Sequence, residues 1–323
     1  MLPRRLLQRG VLGINARNQR YTLRVNERRF YPLVDDKLAT KRMCHEAGIP
    51  VPRLLAVADV NAQAKRLLPQ LADETAFVLK PARGAMGNGI LVLEVRDGKM
   101  MRGNRAVSAD DFVYHAAGII SGLYSLAGHA DAAMVEERLI THPAIAPLAE
   151  DGVPDLRVIV YRGIPVMAMM RLPTRASGGR ANLHQGALGV GIDLELGVTT
   201  HAMFRGETTA RHPDNERALV GFAIPSFDDV LHTAVSAAAR TGLGYVGADV
   251  VIDARLGPAI LELNARPGLA IQLANRAGLA PRLDAVDEAL GAWVRGEHND
   301  LSTASRVALG REVARVARPK AAA

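Results

Sequence analysis

"YVGADVVIDARLGPAILELN", residues 245–264, places two apolar runs around the turn "ARLG", and it restricts the possible folds more than any other stretch of the chain. Such a pattern reads as a β-hairpin. If the strands pair antiparallel about Arg255 and Leu256, Asp249 falls directly opposite Glu262. Asn264 then shares their face, because side chains alternate along a strand. Opposed Cβ atoms lie about 4.5–5.5 Å apart, where two bare carboxylates repel, so something positive belongs between them. Asp249, Glu262 and Asn264 offer only oxygens, which suits Mg²⁺ or Mn²⁺; zinc would ask for His or Cys. The alternatives are that the pair faces solvent, or that Arg266 neutralises it. On the residues alone these stay open.

Mg²⁺ usually accompanies phosphates. The strand "AFVLKP" (76–81) runs into a glycine loop, "ARGAMGNGIL" (82–91), where Gly84, Gly87 and Gly89 let backbone N–H groups approach an anion. The loop matches neither the P-loop nor a clean GxGxxG, and a plain hairpin turn is the simpler account of it. Lys80 ends an apolar strand on the face of Val78. Only six of the 40 basic residues are lysines, so a lysine in such a place suggests a compact ammonium for an α- or β-phosphate. Lys37, in a first helical turn, has a solvated surface role as its alternative.

With 323 residues, 49% hydrophobic and 23% charged, the chain can build one large or two ordinary domains. The single cysteine, Cys44, excludes an internal disulfide framework and suits a reducing cytoplasm. The N-terminus lacks a secretory signal pattern, and Ala116–Gly128 is too short and too polar to span a membrane. The net charge of +7 admits an anionic partner, but no aromatic-basic platform for nucleic acid is visible.

Residues 1–34 read as a basic arm without long periodicity. A helix begins after Asp35 or Asp36 and stops at Gly48. A second helical stretch lies near Asn61–Leu71, and a long one at 108–128 is capped by Ser108. Strands follow at 132–140 and at 156–173, the latter turning at Arg162-Gly163. The polar, glycine-rich 174–194 has too little apolar periodicity for a core element. A helix is expected over 227–244, and a short basic helix or frayed tail at the C-terminus.

The order "DDKLATKRMCHEAGIPVP", "FVLKPARGAMGNGI", "MVEERLI", "DLRVIVYRG", "RANLHQGA", "VGADVVID" and "ILELNARPG" resembles the ATP-grasp superfamily over roughly Asp35 to Leu290. Within it the chain looks most like the alpha-L-glutamate ligase (RimK-like) branch, through "DLR" (155–157) and "NLHQG" (182–186). The resemblance implies an α+β, ATP-grasp fold: two α+β subdomains whose antiparallel sheets enclose ATP. These would occupy 35–134 and 135–296, with an arm at 1–34 and a basic tail at 297–323.

Carried over by motif, the resemblance implies that Lys37 and Lys80 contact phosphates beneath the loop Gly84, Gly87, Gly89. Glu136 would sit near the adenine amine, with the backbone of Glu137 and Leu139 pairing the ring, and Asp155 would bind ribose. Asp249, Glu262 and Asn264 would hold one or two Mg²⁺. Arg157, Arg171, Asn182 and His184 would line the reacting centre, and Arg266 could grip a substrate carboxylate. His184 could equally be only a satisfied loop histidine.

The implied activity is an ATP- and Mg²⁺-dependent carboxylate–amine ligase working through an acyl phosphate, with an amino acid and an unidentified acceptor as substrates. Superfamily ligases usually carry a full N-terminal domain, and only the arm precedes the first motif here. This makes an ATP-binding partner subunit without turnover the rival expectation.

Overall fold

The computed structural model describes residues 4–84, 87–125, 128–149, 152–291 and 300–316. The described chain divides into two compact units. One is formed by Asp36–Arg42 and Val51–Leu139, the other by the segments up to Asp35, Met43–Pro50 and from Ile140 onward. The dividing point, expected at 134/135, therefore lies between Leu139 and Ile140. The cause is the strand Ala133–Glu137, which hydrogen-bonds to a neighbour on either side within the first unit and cannot be shared with another sheet.

That first unit holds a six-stranded antiparallel sheet. Its strands are β1 (Leu54–Ala58), β2 (Ala76–Pro81), β3 (Leu91–Arg96), β4 (Lys99–Arg102), β5 (Arg105–Val107) and β6 (Ala133–Glu137), in the order β1-β6-β2-β3-β4-β5. Phe77, Leu79, Leu93 and Val135 form the core with Phe112, Ala116 and Ile119. The helix α1 (Lys37–Glu46) starts where Asp36 Oδ1 accepts the N–H groups of Leu38 and Ala39, and Gly48, with φ +67°, ends the segment. Ser108 and Asp111 make a reciprocal capping box for α2 (Ala109–Ile120). This helix stops well short of the expected residue 128. Gly122 has φ +84°, and a Cβ there would meet the carbonyls of His129 and Gly128 at 2.5 and 2.6 Å, so the chain turns back tightly after Ile120. Residues 126–127 of the expected helix lie outside the described residues.

The second unit contains a seven-stranded antiparallel sheet. Its strands are β7 (Asp155–Tyr161), β8 (Ile164–Leu172), β9 (Leu188–Asp193), β10 (Val198–Phe204), β11 (Glu207–Thr209), β12 (Tyr245–Asp253) and β13 (Gly257–Asn264). Their order is β11-β10-β9-β8-β7-β12-β13. Arg162 and Gly163 both take positive φ, making the tight turn between β7 and β8. The amphipathic α3 (Phe227–Arg240) buries Val230, Leu231, Ala234 and Val235, as its periodicity implies.

β9 overturns the reading of 174–194 as lacking a core element. Leu188, Val190 and Ile192 are buried, while Gly189 and Gly191 alternate with them because residues 271–274 lie against the other face. A Cβ at Gly191 would come within 2.4 Å of the Ala274 carbonyl oxygen. Gly191→Ala is accordingly expected to cost about 1–3 kcal/mol by overpacking, read as a lowered urea midpoint.

The N-terminal stretch is also more than an arm. Leu12, Tyr21 and Val25 join the core of Tyr161, Tyr245 and Leu283, and the Tyr21 and Tyr245 rings pack edge-on against Tyr161. Nor is the C-terminal region only a tail. The helix α5 (Thr303–Val316) follows α4 (Ala280–Leu290) and buries Val307, Val313 and Ala314. Residues 292–296 of the expected second subdomain, and 297–299 and 317–323 of the expected tail, lie outside the described residues.

Candidate functional site

In the first unit, β2 and β6 pair so that Val78 faces Glu136, and Lys80 sits one step along the same face. Lys80 and Glu136 form a buried ion pair. A second ammonium completes the cluster: Lys41, from α1, lies 2.8 Å from Glu136 and donates to the Pro52 carbonyl at 2.5 Å. Burial works against the charged form of Glu136, but Lys80 and then Lys41 outweigh it and hold its pKa below the ordinary glutamate value. Burial also lowers the pKa of Lys41, against the attraction of Glu136. Lys41 was not singled out from the sequence. Its scarcity among so many arginines and its place one helical turn after Lys37 were the available signals.

Lys37 and the glycine loop are brought together. Lys37 Nζ donates to the Gly84 carbonyl at 2.7 Å, and its backbone N–H donates to Ala82 at 3.0 Å. Gly87 and Gly89 both have positive φ, and a Cβ on Gly89 would strike the Tyr124 ring. His115 Nε2 lies 2.9 Å from the Gly89 carbonyl, so α2 tethers the loop. The expected ring-pairing segment behaves differently. The N–H of Glu137 donates to Arg53 O at 2.9 Å and its carboxylate accepts from Arg53 N, so that backbone donor is engaged within the unit. Leu139 follows, buried.

In the second unit the expected pairing is present: Asp249 faces Glu262 and Gly247 faces Asn264. Nearer the turn the register slips by one residue, with Val250 facing Ile260. A two-residue Arg-Leu turn would need positive φ at Arg255, and in its type I′ form at Leu256 too, which neither residue favours. The chain instead turns through Ala254–Leu256, closed by Gly257 at φ +69°, with Asp253 Oδ1 accepting from the N–H groups of Arg255 and Leu256. The bulge at Leu261 restores the alignment at the acids.

Asp249 is neutralised from the strand on its other side. Arg157, its cross-strand partner, donates from Nε to Oδ1 at 2.7 Å and from Nη2 to Oδ2 at 2.6 Å. Arg171 adds a bond to Oδ2 at 2.7 Å and grips both oxygens of Asp155, its own cross-strand partner, at 2.5 and 2.6 Å. Two acids and two guanidinium groups thus form a buried, neutral network across β8, β7 and β12. Burial pushes Asp155 up to about 6 despite Arg171, with Asp249 adding repulsion. Burial also opposes ionised Asp249, but Arg157 and Arg171 overcome it and keep its pKa low.

Glu262 lies outside this network, half-buried, with Asn264 Nδ2 3.4 Å from its Oε1. Arg266 neutralises neither acid. It is exposed, its guanidinium 5.2 Å from the centre of the Tyr31 ring.

The family model for sugar-transfer associated ATP-grasp proteins matches residues 16–288. The chain belongs to this family. Its two α+β units with antiparallel sheets are the ATP-grasp fold. Among solved structures, the chain is similar to the ATP-grasp ligase PsnB complexed with minimal precursor, at 18% identity and TM-score 0.45, covering 82% of this chain and 63% of that one. It is also similar to a Chryseobacterium gregarium RiPP-associated ATP-grasp ligase in complex with ADP and a leader and core peptide, at 12% identity and TM-score 0.46, covering 85% and 65%. A third is the D-cycloserine synthetase DcsG, at 14% identity and TM-score 0.46, covering 81% and 72%. The chain thus spans less than two thirds of the length of PsnB. No curated protein matches it.

For an ATP-grasp metal site the donors fit a hard cation. A carboxylate offers about four lone-pair sites; three hydrogen bonds occupy three on Asp249, leaving one on Oδ1. Glu262 and Asn264 supply further oxygens. Asp155, expected to hold ribose, is buried and accepts one hydrogen bond from Arg171 on each oxygen. Asn182 caps the single turn Leu183–Gln185 through His184 N at 3.0 Å, while the His184 side chain is exposed. The "NLHQG" motif is therefore a built turn, closed by Gly186 at φ +99°.

Proposed function

We propose that this chain is an ATP- and Mg²⁺-dependent carboxylate–amine ligase. The observation that carries the reading is the cross-strand set Asp249, Glu262 and Asn264 beside the buried Arg157 and the partly buried Arg171, in a chain of the ATP-grasp family. Lys37, Lys80 and the backbone of Gly84, Gly87 and Gly89 serve the phosphates, and Glu136 orients Lys80. Asp249, Glu262 and Asn264 would hold Mg²⁺, with Mn²⁺ as a substitute; when bound, the cation neutralises charge on the β- and γ-phosphates.

A substrate carboxylate oxygen attacks the γ-phosphorus, the bond to ADP breaks, and an acyl phosphate forms. The acceptor amine then bonds to the acyl carbon, phosphate leaves, and the ammonium proton goes to phosphate or water. Such chemistry needs positioning and cations more than a strong base. Arg157 and Arg171 fix Asp249 beside that centre, and Arg266 is the candidate clamp for the acid substrate. Among the described residues nothing resembles a Ser-His-Asp nucleophile. We assign the acid substrate to the amino acids, glutamate first through the alpha-L-glutamate ligase resemblance. The family's sugar-transfer description puts sugar-bearing amines among the acceptors to test. The reducing cytoplasm is the compartment that the lone, buried Cys44 suits.

Incubation with Mg-ATP, pooled amino acids and pooled acceptors is expected to release phosphate and yield new masses; no phosphate from any pool overturns the ligase reading. Nucleotide binding has its own check: Mg-ATP at about a hundred times its Kd should stabilise the protein by about 2.7 kcal/mol, read as a raised melting temperature. One observation favours a binding subunit without turnover, namely that Asp249 is already committed to Arg157 and Arg171. That reading requires the melting shift without phosphate release.

A further inference from the structure

Residues 1–34 contain eight arginines and one glutamate, a net charge of +7, and the net charge of the whole chain is also +7. Residues 35–323 are therefore formally neutral. A formal excess of positive charge equal to that of the whole chain thus sits in a tenth of its length, outside the residues assigned to the nucleotide.

The structure shows this segment held from beneath. Residues 14–25 are helical throughout and bury Arg17, Tyr21 and Val25. Leu12 exchanges backbone hydrogen bonds with the Gln272 side chain at 2.8 and 3.0 Å, Arg17 donates to the Pro267 carbonyl at 2.9 Å, and Tyr21 OH donates to Asp284 at 2.6 Å. Residues 12–25 are fixed in this way, while the preceding helix Arg4–Gln8 buries no residue. Leu7, Ile14 and Leu23 are 50, 64 and 62% exposed. Every arginine of the segment except Arg17 is exposed as well. Acidic neighbours offset two of them: Asp284 lies 3.3 Å from Arg20 and Glu27 lies 3.1 Å from Arg29.

A single exposed aliphatic side chain means little. Three of them interleaved with arginines on one segment are the composition of an element that lies in a lipid interface. There the aliphatic groups enter the boundary of the acyl chains and the guanidinium groups meet lipid phosphates. We infer that the exposed side chains of the N-terminal segment dock on an anionic membrane surface. The contact is peripheral, since among the described residues no helix is long and apolar enough to cross a membrane. A nucleic-acid backbone would use the arginines but gains nothing from Leu7, Ile14 and Leu23, so the lipid surface is the better match.

The test sediments the full chain with vesicles of phosphatidylcholine mixed with phosphatidylglycerol, and with vesicles of phosphatidylcholine alone. Binding to the mixed vesicles only is expected, and it should weaken from 0.1 M to 1 M salt as the screening length falls from about 10 Å to about 3 Å. Arg4→Gln, Arg5→Gln, Arg9→Gln and Arg24→Gln combined should weaken it at about fivefold per arginine, at least about a hundredfold in all. Leu7→Ser, Ile14→Ser and Leu23→Ser combined should weaken it at least about tenfold. All seven side chains are exposed, so both variants should keep the wild-type melting temperature and Mg-ATP response. The inference is overturned if neither vesicle is bound, if both are bound equally, or if the glutamine variant binds as well as wild type. Tighter binding to random duplex DNA than to the mixed vesicles, undiminished in the serine variant, would assign the surface to nucleic acid instead.

Discussion

Glu136→Gln is expected to destabilise the protein by about 3–5 kcal/mol, because it leaves two buried ammonium groups without their counter-charge. Lys80 and Lys41 both converge on this one carboxylate, and neither is open to water. Lys41→Met in the glutamine background should recover much of the loss, since it removes one of the stranded charges, and urea unfolding followed by circular dichroism reads both changes. The pH dependence supplies an independent sign. The pKa of Glu136 is held below its ordinary value of 4.5 in the folded protein, so its contribution is present above that pH and is lost as the pH falls below it. Wild type should lose stability into acid faster than Glu136→Gln does. Equal acid slopes, together with a glutamine variant as stable as wild type, would show that the buried pairing contributes nothing.

What the sequence carried depended on the range of the interactions involved. The hairpin 245–264 was legible because alternation and a turn are local, and they sufficed to put Asp249 opposite Glu262. The slip at Leu261 was not, since it follows from how Arg255 and Leu256 resist a two-residue turn. β9 was missed because its glycines looked like loop, and only the segment packed over them explains why nothing larger fits. The N-terminal stretch read as an arm because only Tyr21 and Val25 are apolar among the buried residues of its helical stretch, the positions between and before them being filled by Arg17 and Thr22. At the site, Lys80, Lys37 and the glycines were visible as residues out of place. The partners were not: that Glu136 answers to Lys80, and that Asp155 and Asp249 share Arg171, depends on cross-strand registers that no single strand contains, and Lys41 reaches Glu136 from a helix.

Glu262→Gln and Asp249→Asn should separate chemistry from stability. Glu262 stands outside the arginine network, half-buried, with only a long contact from Asn264, so its replacement should leave the urea midpoint in place. Losing even a supporting group around a metal costs about 10–100-fold; loss of a direct ligand should lower ADP formation by at least about a hundredfold, partly recovered at raised Mg²⁺. Asp249→Asn removes the counter-charge of Arg157 and Arg171 in a buried place and should cost about 3–5 kcal/mol as well as turnover. The contrast is the decisive feature. If Glu262→Gln turns over like wild type at every Mg²⁺ concentration, the oxygen set on β12 and β13 is not a metal site, and the strand face that pairs Asp249 with Glu262 serves only to hold the sheet together.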